Sequence, residues 1–293
     1  MTLRHGSRAV FLTMLIMAVA AGCRKKDEAE QIGETVGEAM SSLDDSVAGE
    51  SSAMLPLPFR RVPDELKGSP WQRAMDNVIP SAYAATCWEP TFSACSASGV
   101  RTKDFGGCII GGATLEGTVT LTFNRALCVV LTAGDAVTRT ADLTLTGRYG
   151  GTLAITSPGG GQTLTKTTDG FEYTVGGMER VLTGPGGRTL FDVATRTTAP
   201  IVVTGSSRAD LKIASGSLEI DHKVAGYKVT LTANNLTWTS NCNCASSGML
   251  SGVVSGGKHD GKTASVTITG CGEADVTIDG DTESVTMDRC TTM

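Results

Sequence analysis

Residues 263–288 read TASVTITGCGEADVTIDGDTESVTMD and contain three runs in which apolar side chains alternate with polar ones. The apolar positions of these runs are Val266, Ile268, Val276, Ile278, Val285 and Met287. A period of two is typical of strands that are buried on one side. Asp279-Gly280 separates the last two runs and tolerates the positive φ of a tight hairpin turn. This stretch therefore predicts three consecutive antiparallel strands.

The same alternation recurs along the chain from residue 87, with threonine at many of the polar positions. The apolar pairs and triplets are Val119/Leu121/Phe123, Leu143/Leu145, Leu153/Ile155, Phe171/Tyr173/Val175, Leu211/Ile213, Leu218/Ile220, Tyr227/Val229/Leu231 and Leu236/Trp238. Between the runs we expect turns at Asp169-Gly170 and Asp260-Gly261. The glycine-rich segments 159–161 and 184–187 are expected to be further turns between strands. The region predicts an all-β fold, an antiparallel meander of roughly a dozen short strands.

A flat open sheet of this size is unstable, so we expect a curled sheet or a sandwich. A membrane-spanning barrel is disfavoured because the face opposite the core is rich in threonine rather than in lipid-facing apolar bands. A β-solenoid is disfavoured because the spacing between strand centres is irregular.

The first 22 residues have the parts of a secretory signal: a basic start with Arg4 and Arg8, an apolar run over 9–21, and small residues before Cys23. The run is too short to span a bilayer as a helix. The ending Ala20-Ala21-Gly22-Cys23 resembles the lipobox of bacterial lipoprotein precursors. The resemblance implies cleavage before Cys23, a diacylglyceryl group on its thiol and acylation of the new amine.

Two details qualify this resemblance, which covers only the N-terminal segment. Position 20 is alanine where leucine is usual in the family, and Ala18-Val19-Ala20 also fits an ordinary signal-peptidase site. Residue 24 is arginine, not the aspartate that resembles an inner-membrane retention signal. The expected location is the cell envelope, lipid-anchored in the outer membrane on the periplasmic side or at the surface.

Residues 23–86 are expected to be a lipid-anchored acidic tether followed by a proline-rich linker. Its apolar residues Ile32, Val36, Met40, Leu43 and Val47 recur at helical spacing. This pattern favours a short amphipathic tether helix that rests on some other surface, and an oligomerisation seam is the alternative. Pro56, Pro58, Pro63, Pro70 and Pro80 follow, with room for one short helix after Ser69. The predicted domains are thus 1–22, 23–86 and 87–293.

Composition limits the partners. Removal of the signal leaves 23 basic and 30 acidic residues, a net charge near −7. This charge disfavours nucleic acid as a partner and predicts no basic patch for anionic lipid.

Eight cysteines remain besides Cys23: Cys87, Cys95, Cys108, Cys128, Cys242, Cys244, Cys271 and Cys290. An even number in an oxidising compartment predicts up to four disulfides, whereas a zinc site would need Cys-x₂-Cys pairs or histidine partners. A simple meander places the last four at one end of the sheet. We therefore expect one of Cys242 and Cys244 to bond Cys271 and the other Cys290. The first four are expected to pair among themselves.

Three motifs suggest chemistry but are better explained by structure. Residues 256–263 match the phosphate-binding pattern G-x₄-G-K-[ST], but an alternating strand follows where that loop needs a helix. His222 and His259 each neighbour an aspartate, but adjacent strand residues point to opposite faces, so both histidines are expected to be surface residues. The acidic residues of 275–283 could hold Ca²⁺, but their spacing is not that of an EF-hand and favours a solvated hairpin.

The sequence predicts a non-catalytic envelope lipoprotein that binds a partner or serves as a structural or surface component. It is expected to need no cofactor, metal or nucleotide, and to contact the membrane through its N-terminal lipid. The alternative is a carrier of lipid or another small apolar ligand on the concave face of a curled sheet. A hydrolase is the weakest reading, since no nucleophile motif accompanies either histidine.

Overall fold

The computed structural model describes residues 92–110, 113–130, 132–205, 208–242, 244–287, 290 and 292, together with Ile32, Gly33 and Val36. The predicted all-β fold is confirmed: thirteen strands form one antiparallel sheet that is not closed. The strands are β1 (Val100–Asp104), β2 (Cys108–Ile110), β3 (Ala113–Phe123), β4 (Ala136–Thr146), β5 (Thr152–Lys166), β6 (Gly170–Thr183), β7 (Thr189–Thr204), β8 (Lys212–His222), β9 (Tyr227–Trp238), β10 (Ala245–Gly256), β11 (Thr263–Gly270), β12 (Glu273–Ile278) and β13 (Asp281–Thr286).

The topology is a meander. From β3 to β13 each strand pairs with the next one along the chain, while β1 and β2 both pair with β3. The strands predicted from residues 263–288 occupy their expected places, and Val276 on β12 lies between Val266 on β11 and Glu283 on β13. Local alternation and turn chemistry therefore determine this part of the sheet.

One face of the sheet carries the buried hydrophobic side chains, and we call it the apolar face. On β3, for example, Ala113, Leu115, Val119, Leu121 and Phe123 are buried while the residues between them are more exposed. The opposite, threonine-rich face is stabilised by cross-strand hydroxyl pairs. The hydroxyl oxygens lie 2.8 Å apart in both Thr138–Thr163 and Thr277–Thr282.

A row of β-bulges crosses the middle of the sheet. Pairing shifts register after Arg139 on β4, between Thr156 and Gly161 on β5, and after Tyr173 on β6. The expectation that the triple glycine 159–161 marks a turn is wrong, because these residues lie inside β5. They allow close backbone approach instead: a Cβ on Gly176 would lie 2.1 Å from the carbonyl oxygen of Gly159. Bulges bend and twist the strands that contain them.

Part of the apolar face is covered by the N-terminal segment. Ile32, Gly33 and Val36 are helical, and the side chains of Ile32 and Val36 are fully buried. A Cβ on Gly33 would lie 2.5 Å from Cγ2 of Val285 on β13, so the glycine permits close packing there. Val36 lines a gap of about 20 Å³ with side chains from β7 to β10. Of the predicted stripe, Met40, Leu43 and Val47 lie outside the described residues.

Three disulfides lie at one end of the sheet. Cys242–Cys271 and Cys244–Cys290 agree with the pairing expected from the meander, and Cys95–Cys128 joins the N-terminal group. Cys108 is also disulfide-bonded, and Cys87 lies outside the described residues. We call this end, which holds the β3–β4, β9–β10 and β11–β12 connections, the disulfide end.

Candidate functional site

Three polar side chains lie on the apolar face where the row of bulges crosses it. Arg139 on β4 is paired with Gln162 on β5, and Tyr173 on β6 is paired with Leu164 on β5. We call Arg139, Gln162 and Tyr173 the polar cluster. Their side chains are only 6%, 8% and 4% exposed, respectively, so the cluster is embedded among apolar neighbours.

The electrostatics of the cluster favour a charged arginine beside a neutral phenol. Burial raises the pKa of Tyr173 to about 12, although the charge of Arg139 and a hydrogen bond from Gln162 act in the opposite direction. Tyr173 therefore stays protonated at physiological pH and can both donate and accept a hydrogen bond. Oε1 of Gln162 is buried without a hydrogen-bond donor. A buried acceptor of this kind costs about 1–3 kcal/mol until a donor reaches it.

A second cation lies on the apolar face near the β1 edge. Lys103 is only 8% exposed, and its ammonium nitrogen lies 5.1 Å from the ring centroid of Phe105. Burial lowers the pKa of the Lys103 ammonium. Lys103 pairs with Val119 on β3, which pairs in turn with Ala141, two residues from Arg139 on β4. The first strands thus place two basic side chains on a face made mostly of buried hydrophobic residues.

On the threonine-rich face, the same bulges form an open cleft of about 510 Å³. Its lining is mainly glycine and threonine, including Gly159, Gly160, Thr163, Thr174 and Thr198. Arg196 lies at the cleft, but its Nε donates to Oε1 of Glu219 at 2.8 Å. The cleft therefore offers hydroxyls and backbone groups, and its charged side chain is already engaged.

The two predicted histidine positions differ from each other. The expectation that His222 is a surface residue is wrong: it is buried on the apolar face, between the rings of Phe191 and Tyr227 at centroid distances of 5.3 and 5.4 Å. Burial lowers the pKa of His222, which favours the neutral imidazole, and its Nδ1 accepts a hydrogen bond from the Ala225 amide. Asp221 points to the other face, 3.4 Å from Nζ of Lys228, as strand geometry predicts. This Asp-His pair is therefore not a catalytic dyad.

The other motifs are hairpins. Residues 257–262 form the β10–β11 turn, in which Oδ1 of Asp260 accepts a hydrogen bond from the Gly256 amide at 2.7 Å, and a strand follows. Residues 275–283 form the β12–β13 hairpin, where Asp275 accepts from Ser284 and Asp279 pairs with Lys262. Within the described ranges, no three His, Cys, Asp or Glu side chains are grouped so that they could hold a metal ion. His259 lies in the β10–β11 turn.

Sequence reasoning placed Tyr173 among the apolar positions but missed Arg139 and Gln162, although a signal was present. Arg139 is in phase with Val137 and Ala141, and Gln162 is in phase with Leu164, so alternation alone places both on the apolar face. Cys23, the predicted lipid anchor, lies outside the described residues. No helix in the described part of the chain is long and apolar enough to cross a membrane.

The chain was compared with protein-family models, with curated proteins and with solved structures. It matches no family model, no curated protein and no solved structure.

Proposed function

We propose that this chain is a non-catalytic lipoprotein of the cell envelope, anchored through Cys23, that carries an amphiphilic ligand on its apolar face. The observation that supports the ligand is the polar cluster, because a cation, an amide and a phenol are embedded in an apolar surface. The ligand class is an amphiphile with an acidic head and at least one acyl or similar apolar chain.

The shape of the sheet supports a carrier. Bulges bend the strands that contain them, and in our proposal the row of bulges curls the sheet around its apolar face. The meander leaves β1 and β13 unpaired with each other. In our proposal the sheet is a half-open roll rather than a sandwich. Such a roll exposes its concave face unless another segment covers it, and Ile32 and Val36 cover the part formed by the later strands.

The segment that carries Ile32 and Val36 limits access of a ligand to the apolar face. The gap beside Val36 measures only about 20 Å³, less than the volume of a single acyl chain. A ligand can therefore occupy this part of the face only after the segment that carries Ile32 and Val36 has moved. Segments held by few buried contacts open at lower free energy than a whole domain. Exchange of segment for ligand is the carrier step in this proposal.

The polar cluster would hold the head group. The Arg139 guanidinium already has an interaction within the protein, but it carries five N–H donors in a planar fork, and a phosphate or carboxylate would take two of them. Oε1 of Gln162 would accept from a neighbouring hydroxyl or amide of the ligand, which would satisfy an acceptor that lacks a donor. The apolar side chains around the cluster would contact the chain of the ligand, with about 0.8 kcal/mol for each CH₂ removed from water.

A structural or surface component is the second candidate. The observation that favours it is the small size of the gap at Val36. In a structural component the segment that carries Ile32 and Val36 would stay in place and fill the interior. Lipid analysis separates the two candidates, because a structural component would purify without bound amphiphile.

The ligand is tested by changing the charge of the cluster. In protein purified gently from membranes, Arg139→Met is expected to lower the amount of bound acidic lipid about tenfold, because a hydrogen bond to a charged group contributes about 1.5–3 kcal/mol. The measurement is mass spectrometry of extracted lipid, normalised to protein. Lys212→Gln, an exposed charge at the start of β8, is the matched control and should retain the wild-type amount. Wild-type protein that carries no lipid would refute the carrier.

The anchor is tested separately. When membranes are washed at high salt, Cys23→Ser should release the protein into the soluble periplasmic fraction, because several acyl chains provide the membrane affinity of a lipoprotein. Incorporation of labelled fatty acid should be lost at the same time. A variant that still partitions with membranes, together with wild type that takes up no fatty acid, would show that Cys23 is not lipidated.

A further inference from the structure

Exposed hydrophobic side chains are concentrated at the end of the sheet opposite the disulfides. Seven large hydrophobic residues are exposed in the described part of the chain, and five of them lie on turns or strand ends at this end. These are Ile109 (55% exposed), Tyr149 (69%), Leu190 (53%), Val224 (50%) and Val253 (53%). The other two, Leu127 and Val129, lie in the β3–β4 connection at the disulfide end.

Strand register shows that the first three of these positions share one level. The cross-strand pairs that connect them are Ile109↔Thr114, Thr114↔Thr146, Thr146↔Thr152, Thr152↔Thr183 and Thr183↔Thr189. Tyr149 lies in the turn after Thr146, and Leu190 follows Thr189. The β8–β9 turn, with Val224, is set back because His222 pairs with Val193 rather than with Thr189. We call this stepped edge, from β2 to the β10–β11 turn, the rim.

Basic residues accompany the hydrophobic ones along the rim. The Arg148 guanidinium carbon lies 6.0 Å from the ring centroid of Tyr149, Arg188 precedes Leu190 by two positions, and Lys258 lies in the β10–β11 turn. For none of these three cations is an acidic partner found among the residues that the structure describes. By contrast, Lys223 in the β8–β9 turn pairs with Glu179 and Asp192. The rim therefore carries three cations without an acidic partner in the described part of a chain that is acidic overall, although Asp260 shares the turn of Lys258.

We propose that the rim is a docking surface for a bilayer that contains anionic phospholipid. Hydrophobic and aromatic side chains on protruding turns insert into the head-group region, where an amphipathic ring such as that of Tyr149 is favoured. Arg148, Arg188 and Lys258 contact lipid phosphates, and basic residues near an anionic surface are attracted within a Debye length. This proposal departs from the expectation, drawn from net charge, that the protein has no basic patch for anionic lipid, because net charge does not report where individual cations lie.

Ile32 limits how far the domain can lie from a lipid anchor at Cys23, but it does not orient the rim, because the neighbouring Gly33 contacts Val285 near the disulfide end of β13. Ile32 lies nine residues after Cys23 and is buried on the sheet. Nine residues span at most about 30 Å when fully extended. An anchor at Cys23 would therefore hold the domain near the bilayer at high effective concentration. Residues 37–91 do not change this distance, because they follow Ile32 in the chain. This step rests on the proposed lipid anchor, whereas the affinity of the rim does not.

The experiment uses the mature chain with Cys23→Ser, so that lipidation contributes nothing. Its binding to vesicles of phosphatidylcholine alone, and of phosphatidylcholine with phosphatidylglycerol, is measured by cosedimentation at low and high salt. We expect preferential binding to the anionic vesicles that weakens with salt. The variant Tyr149→Ser/Leu190→Ser/Val224→Ser should lower the partition coefficient about tenfold or more, since interfacial binding scales with buried apolar area.

Matched variants separate the contributions. Leu127→Ser/Val129→Ser removes two apolar side chains that are also exposed (74% and 38%) but lie at the disulfide end, and it should leave binding unchanged. Arg148→Gln/Arg188→Gln should remove most of the preference for anionic vesicles but not the weak binding to neutral ones. Equal binding by all variants, or no binding to anionic vesicles, would overturn the docking surface. If the rim binds but wild-type protein takes up no fatty acid, the lipid anchor fails and the docking surface stands.

Discussion

Replacing Cys244 and Cys290 together by alanine is expected to lower the free energy of unfolding by about 4 kcal/mol. This disulfide joins residues that are 46 positions apart, so its removal frees a long loop in the unfolded chain. In the folded protein it ties the β9–β10 connection to the segment after β13, an edge strand of six residues that pairs only with β12 in the sheet. Since total stabilities of domains are about 5–15 kcal/mol, this loss is a large fraction.

Urea denaturation of the double variant checks the value, and hydrogen exchange shows where the effect lies. Backbone amides of β12 and β13 should exchange faster than those of β4 to β8, because the lost bridge holds the C-terminal edge. The comparison is Cys95→Ala/Cys128→Ala, which removes the disulfide between two residues 33 positions apart in the N-terminal group. This variant should leave the β13 amides protected. An unchanged urea midpoint in the Cys244/Cys290 variant would show that this bridge does not constrain the unfolded chain.

The strands and turns that depend on residues close together in the sequence could be predicted. β11 and β12 occupy the runs that alternation indicates, with the Asp279-Gly280 turn after them. The disulfide pairing followed because a meander fixes which turns share an end. The bulges could not be predicted in the same way, because they depend on glycines of neighbouring strands approaching each other, as Gly159 and Gly176 do.

The candidate site was missed for a different reason. His222 was expected at the surface, and Arg139 and Gln162 were not considered, although all three alternate in phase with buried neighbours. Alternation reports which face a residue occupies, and residue type reports only its usual preference for water. Where the two disagree in this chain, the position of a residue in the alternation predicted its burial better than its residue type did.

Segment burial was predicted in part. The stripe that begins with Ile32 and Val36 indicated a helix resting on another surface, and these two residues do pack on the apolar face. The sequence does not indicate which strands receive them. That information comes from close contacts across the sheet, such as the one between Gly33 and Val285.

The double substitution Ile32→Asp/Val36→Asp is expected to detach the N-terminal segment and leave the sheet folded. An unpaired carboxylate at a fully buried position costs several kcal/mol, and two of them exceed what a short docked segment can offset. Peptides that cover residues 32–36 should then exchange their amide hydrogens as fast as unfolded chain. The exposed apolar face should bind more of a hydrophobic dye, and purified protein should carry more lipid than wild type.

A control variant and the unfolding of the sheet test this prediction. Leu127→Asp/Val129→Asp introduces the same charges at exposed positions and should change neither exchange at 32–36 nor lipid content. Cooperative urea unfolding of the sheet, measured in the Ile32/Val36 variant, should keep its slope because most of the buried apolar area lies between the strands. If that variant instead loses cooperative unfolding, the segment belongs to the permanent core. The carrier step would then be impossible, and a structural component would be the better account of this protein.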